Sequence, residues 1–212
     1  MVSPQGRRRS RALNSELRGC DGTYSLNDLG SFPPNEQLAL ARGGEPAAFA
    51  ALVHAHRDSV YSLALRMLGR RDAAEDLAQD VFIQLYAGLR SIQSDEHLLF
   101  WLRKVTTHRA IDQIRQRARM ALAPLGEETD PPSAPESTDP LLQRLLRRLL
   151  MELMPDARAV VTLRYQEDLD PMEIASVLDM PINTVKSHLK RSLQTLRAKM
   201  SGVQPSCEDH SP

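Results

Sequence analysis

The residues in this chain best equipped for chemistry are cations spaced along helical patterns, and the chemistry open to them is the neutralisation of phosphate. Between Phe100 and Arg119 stand six basic residues, Arg103, Lys104, Arg109, Arg115, Arg117 and Arg119, against one acid, Asp112. Cations held on one helix can displace the counterions of a nucleic acid and so gain a salt-dependent affinity. A solvated helix face with Asp112 in ordinary ion pairs to Arg109 and Arg115 would leave the same pattern. A second set carries more information. Glu173–Leu178 reads as a short amphipathic helix, Asp179-Met180-Pro181 breaks it, and Ile182–Leu189 starts another, which is the helix-turn-helix order. Small Ala175 lets the two helices approach, and Ile174, Leu178, Met180, Val185 and Leu189 supply their apolar contact. From Ile182 to Lys199 there are five basic residues and no acid, with Thr184, Ser187 and His188 adding short polar donors near the helix start. Such a face suits a DNA major groove. The plainer reading is a helical hairpin with a cationic outer side.

Other chemistries find little support. His54 and His56 with Asp58 would be a weak hydrolytic set, because residues two apart on a helix point in different directions. Cys20 and Cys207 have no second Cys or His at metal spacing, and no glycine-rich phosphate loop is present. The expectation is therefore a protein that is not an enzyme and carries no metal or cofactor.

The elements that must position these charges follow from apolar spacing. Phe49, Leu52, Val53, His56, Val60, Leu63, Ala64 and Met67 recur at steps of three and four, the stripe of a long helix that Gly69 would end. Asp72, three residues before Glu75, predicts a capping box for the next helix, which should run to about Gly88. Leu77, Val81, Leu85 and Leu89 share its buried side, while Asp72, Glu75, Asp76, Gln79 and Asp80 gather opposite. After a turn at Ser91–Glu96, a third helix carries Leu98, Trp101, Leu102 and Val105 on one face before the apolar phase moves to Ala110, Ile111 and Ile114. Trp101, between Leu98 and Leu102, is expected in the core.

Composition fits this outline. Of 212 residues, 42% are hydrophobic but only 4% aromatic, and 27 Lys+Arg balance 27 Asp+Glu, so the placement of charge matters more than its sum. Ala123 to Pro140 holds five prolines, five acids and no base, which is linker chemistry. The expected architecture is all-α, two small helical domains joined by a Pro-rich acidic linker. The bounds read as a flexible extension at 1–34, a helical domain at 35–120, the linker at 121–140, a helix-turn-helix domain at 141–200 and a flexible tail at 201–212. No apolar run reaches the roughly 18 residues needed to span a bilayer, and the basic start lacks a signal-peptide core, so a soluble cytoplasmic protein without membrane insertion is expected.

Three motifs in order carry a family resemblance: Asp72-Ala73-Ala74-Glu75-Asp76-Leu77-Ala78-Gln79-Asp80-Val81-Phe82, then Trp101-Leu102 ahead of Ala110-Ile111-Asp112-Gln113-Ile114-Arg115, then Thr184-Val185-Lys186-Ser187. The chain resembles a bacterial RNA polymerase sigma factor of the extracytoplasmic-function group. The resemblance implies a first domain that binds the polymerase clamp and opens the −10 promoter element, a second that reads the −35 element, and a linker threaded toward the polymerase channels. It further implies that Asp76, Gln79 and Asp80 dock on the β′ clamp, with core polymerase and its β subunit as partners. Arg103, Lys104, Arg109 and Arg115 would face −10 DNA, and Ser91–Glu96 would receive an unstacked base. Thr184, Lys186, Ser187, His188, Lys190 and Arg191 would lie at the −35 element, and an anti-sigma protein would be the regulator. Three positions depart from the usual pattern: Asp179 stands where the tight turn usually holds Gly, His188 replaces a usual Arg, and His108 stands where Asn is common. The alternative is a stand-alone helix-turn-helix regulator with an N-terminal effector domain, which leaves the acidic helix without a purpose.

Overall fold

The computed structural model describes residues 34–120 and 140–201, and every regular element among them is helical, as expected of an all-α chain. The N-terminal group comprises α1 (Pro34–Arg42), α2 (Pro46–Leu68), α3 (Arg71–Gly88), a 3-10 turn (Leu89–Ser91) and α4 (Asp95–Met120). The C-terminal group comprises α5 (Pro140–Met151), α6 (Pro155–Tyr165), α7 (Pro171–Leu178) and α8 (Ile182–Ser201). The expected extension, most of the linker and most of the tail lie outside the described residues.

Helix α2 forms where the apolar stripe predicts it. Pro46 occupies its first turn, where a missing N–H costs nothing. Leu52, Val60, Leu63, Ala64 and Met67 are buried along its inner side, each large aliphatic side chain contributing about 1.5–3 kcal/mol by leaving water. Gly69 ends the helix in the left-handed region (φ 74°) with its N–H donating to Leu65 O at 2.8 Å. The positive φ suits glycine, and the site is crowded as well, because a Cβ there would meet Met151 Sδ at 2.7 Å.

The start of α3 differs from expectation. Arg70 is its N-cap, no side chain caps the helix, and the Asp72 carboxylate is held by the Arg70 guanidinium instead. Asp72 sits one position too far inside the helix to reach a free N–H, so the expected capping box does not form. The rest of α3 follows the wheel: Leu77, Val81 and Leu85 are buried, and Asp72, Glu75, Asp76, Gln79 and Asp80 are exposed. Helix α4 begins after Ser94, whose Oγ accepts the His97 N–H at 3.2 Å. Trp101 is half-buried against the core, between buried Leu98 and Leu102.

A capping box does occur at α7. Asp170 Oδ1 accepts the N–H groups of Met172 (2.7 Å) and Glu173 (2.9 Å), and Glu173 Oε2 accepts the Asp170 N–H at 2.7 Å. Its far end is Asp179, left-handed at φ 51°, whose N–H donates to Ala175 O. Asp179 thus takes the turn conformation for which glycine is the usual residue. Ile174, Leu178 and Val185 are buried in the hairpin, and Met180, Ala175 and Leu189 pack against the core.

The two groups share one continuous core, which runs from Leu38, Leu63 and Met67 through Leu98 and Leu102 to Val160, Leu163 and Val177. Arg158 fastens it. This residue of α6 is only 6% exposed. Its guanidinium donates to Met67 O (2.6 Å) at the end of α2, and to Leu150 O (3.0 Å), Met151 O and Leu153 O (3.2 Å) at and beyond the end of α5. Two helix ends leave carbonyls without intrahelical partners, and one delocalised cation satisfies both sets.

Candidate nucleic-acid interface

Three charged surfaces emerge, and they differ in how far the molecule itself engages them. The first lies on α3. Asp76, Gln79 and Asp80 are exposed on one side of it. The structure adds two residues that charge-based reading passed over: Ile83 and Tyr86, each 68% exposed, lie on the same side. Their signal was present in the spacing, since 76, 79, 80 and 83 are a helical face at steps of three and four. Tyr86 is steadied by Phe49 of α2, edge to face with ring centroids 5.0 Å apart. A pair of large apolar side chains beside carboxylates is a surface suited to a protein partner with a basic rim.

The second surface is α4, and here every cation expected to face DNA already has a partner. Arg103 Nε donates to Glu167 Oε2 at 2.8 Å, and the glutamate side chain is only 7% exposed. Lys104 Nζ lies 2.7 Å from Asp179 Oδ1, and this ammonium holds the Asp179 carboxyl below the usual carboxylate range. Arg115 Nη2 reaches both oxygens of Asp156 at 2.9 Å. Arg109 pairs within the N-terminal group, with Gln84 Oε1 at 3.0 Å and Asp80 Oδ2 at 3.4 Å. Glu167 follows α6, Asp156 lies in its first turn, and Asp179 ends α7. The partners of Arg109 and Arg115 are thus not the expected Asp112, because those acids face the arginines from other helices. His108 completes the contact: its Nε2 is 3.0 Å from Val177 O and 3.6 Å from Asp179 Oδ2. A carbonyl only accepts, so Nε2 carries the proton. Lys104 and His108 together meet the electronegative end of α7.

The third surface is α8. Lys186, Ser187, Lys190 and Arg191 are exposed and Thr184 and His188 half-exposed, while Val185, Ser192 and Leu196 are buried. Among the described residues no carboxylate pairs with Lys186, Lys190 or Arg191; the one ion pair on this helix joins Lys199 to Glu152. The face is therefore free to meet phosphate. The expected base-receiving segment, Ser91–Glu96, spans the end of the 3-10 turn and the start of α4. Ile92 is buried within it, Ser91 Oγ donates to Gly88 O (2.7 Å), and the Ser94 hydroxyl holds the Glu96 carboxyl below its ordinary range. Among the described residues no group of three or more His, Cys, Asp and Glu could hold a metal ion, and no helix is long and apolar enough to cross a membrane.

Comparison with known proteins matches this layout. Residues 52–120 fit the family model for Sigma-70 region 2, and residues 143–196 that for Sigma-70, region 4. The first match covers the acidic helix that a stand-alone regulator would leave unexplained. The ECF RNA polymerase sigma factor SigW of Bacillus subtilis is 27% identical over 180 residues, covering 78% of this chain and 95% of the relative. The ECF sigma factor SigE of Mycolicibacterium smegmatis is 37% identical over 154 residues, covering 69% of this chain and 59% of that relative. In fold, the chain resembles the sigma factor RpoE of Bartonella quintana, solved with the anti-sigma factor NepR, at a TM-score of 0.61 with 22% identity over 74% of this chain and 98% of the other.

Proposed function

The chain belongs to the sigma-70 family of RNA polymerase sigma factors, in its extracytoplasmic-function group, and on that premise we propose how its surfaces divide the work of starting transcription. As a sigma factor it binds core RNA polymerase, recognises the −10 and −35 promoter elements and promotes melting. The protein performs no bond chemistry of its own, so mechanism here means binding free energy spent on placing polymerase and on holding opened DNA.

Residues 35–120 act as the clamp-binding and −10 domain, and residues 141–200 as the −35 domain. Asp76, Gln79 and Asp80 of α3 engage the basic β′ clamp, with Ile83 and Tyr86 as apolar anchors that become buried in the complex. Arg103, Lys104, Arg109 and Arg115 of α4 neutralise phosphates around the melted −10 strand. On α8, Lys186 and Ser187 reach base edges, Lys190 and Arg191 grip phosphate, and Thr184 and His188 lie at the margin of the groove. The C-terminal group also meets the β subunit. The site of action is the cytoplasm, where core polymerase resides, and an anti-sigma protein covering these surfaces is the proposed regulator.

The observation that carries this reading is the separation of an acidic, partly apolar face on α3 from an unpaired cationic face on α8. The test adds purified protein to core polymerase and maps transcription starts. Asp76→Lys with Asp80→Lys should abolish association with core, and undiminished binding would remove the clamp assignment. Lys186→Ala should change −35 preference, and an unaltered promoter profile would refute its base-reading role.

A further inference from the structure

We propose that the packing of α6 and α7 on α4 is a self-masked state, in which Glu167, Asp179 and Asp156 hold Arg103, Lys104 and Arg115 in place of promoter phosphates. The proposal rests on the assignment of α4 to −10 DNA made above. Three cations of one helix meet three carboxylates from the far side of the linker, at 2.8, 2.7 and 2.9 Å. The cations of α8 meet none of that kind among the described residues. The masking is thus selective: one nucleic-acid surface is closed and the other open.

Two features make the closed state specific. Arg158 reaches across to Met67 O while gathering the carbonyls beyond α5, so the end of α2 and the end of α5 are fixed to one group. Asp179 adopts a left-handed conformation that disfavours side chains other than glycine's. In return its carboxylate lies against Lys104 and beside His108. Glycine would make the same turn with less strain and lose both contacts.

The promoter requires this arrangement to open. Elements separated by about 25 base pairs lie roughly 85 Å apart along B-form DNA, whereas α4 and the end of α7 stand in side-chain contact. Residues 121–139 can extend to roughly 65 Å, which, with the helices on either side, lets the two parts reach both elements. Solvent-facing ion pairs are weak and screened by salt, so the Lys104 and Arg115 contacts can yield to phosphate. The shielded Arg103–Glu167 pair yields only when the helices part.

The chain has four lysines, Lys104, Lys186, Lys190 and Lys199, so amine acetylation followed by mass spectrometry reads the state directly in the full-length protein. Lys104 should react at least fivefold more slowly than Lys186 and Lys190. In Asp156→Asn/Glu167→Gln/Asp179→Gly the difference should fall below twofold. That triple variant should also bind a fluorescent single-stranded deoxyoligonucleotide of about 12 nucleotides at least tenfold more tightly than the parent. The variant Glu36→Gln/Glu45→Gln/Asp58→Asn makes the same change of net charge away from α4 and should gain far less. Equal reactivity of Lys104 and Lys186 in the parent would overturn the closed state. Release of Lys104 without a gain in DNA affinity over the charge-matched control would overturn masking. Failure of the underlying assignment looks different: holoenzyme carrying Arg103→Ala and Arg115→Ala would open promoters normally while Lys104 of the free parent stayed protected, and that result would refute masking together with the −10 role.

Discussion

Removing Arg158 tests the packing where its chemistry is most concentrated. The side chain donates to four main-chain carbonyls, and the residue is 6% exposed. Net contributions of hydrogen bonds from a charged group run at about 1.5–3 kcal/mol each, which for four acceptors gives a gross gain of at least about 6 kcal/mol. Against this stands the cost of taking a guanidinium out of water, several kcal/mol for a buried ion; the same burial pushes the Arg158 pKa down from its ordinary value. The balance leaves about 3 kcal/mol, close to what is lost when one partner of a buried charge contact is deleted and the other groups stay unpaired. Arg158→Met keeps the stem and removes the donors, so it should lower stability by that amount and the melting temperature by about 6–12 °C. Arg158→Lys keeps the charge but cannot present a planar fork to several carbonyls, and should recover less than half of the loss. Urea titration followed by circular dichroism measures both. A loss under about 1 kcal/mol for Arg158→Met would mean that solvent already satisfies these carbonyls and that the guanidinium fastens nothing.

Three further outcomes are expected. Ile83→Ala with Tyr86→Ala should weaken binding to core polymerase at least tenfold while leaving the melting temperature within a few degrees, because both side chains face solvent; unchanged affinity in a pull-down titration would exclude them from the clamp surface. Asp170→Ala should cost about 1–2 kcal/mol by removing the cap that serves two backbone N–H groups of α7, with loss of −35 binding at elevated temperature; a neutral effect by thermal melting would show the box to be dispensable. Burial lowers the His56 pKa below 6.5, and nearby Asp95 only partly opposes this. The unfolded chain therefore binds the extra proton first, so this contribution to stability is complete above about pH 6.5 and lost as pH falls through the folded value. His56→Gln should flatten the decline in melting temperature between pH 7.5 and 5.5, and an identical slope would refute the assignment.

Much of this molecule was legible because its helices obey local spacing. The buried stripe of α2, the extent of α3 from Arg71 to Gly88 and the break at Asp179-Met180-Pro181 follow from periodicities of three and four and from turn chemistry. The failed capping box at Asp72 shows where local rules compete: Arg70 captures the carboxylate, and the box forms at Asp170 and Glu173, where Pro171 fixes the first turn. The partners of Arg103, Lys104 and Arg115 were not legible. Glu167, Asp179 and Asp156 lie 64, 75 and 41 positions away in sequence, beyond any spacing rule, and only the shared core brings them together. Ile83 and Tyr86 escaped notice because the front of α3 was read by charge alone.

The contact between Asp80 and Arg109 has a thermodynamic consequence. One carboxylate assigned to the polymerase and one guanidinium assigned to DNA are each other's neighbour, 3.4 Å apart on adjacent helices. A partner that claims the acid releases the base for a phosphate, and by reciprocity a bound strand makes the acid more available to protein. For a pair this exposed the coupling is at most about 1 kcal/mol, roughly fivefold in affinity. Assembly of enzyme and promoter would then favour one another through a single shared proton-free bond.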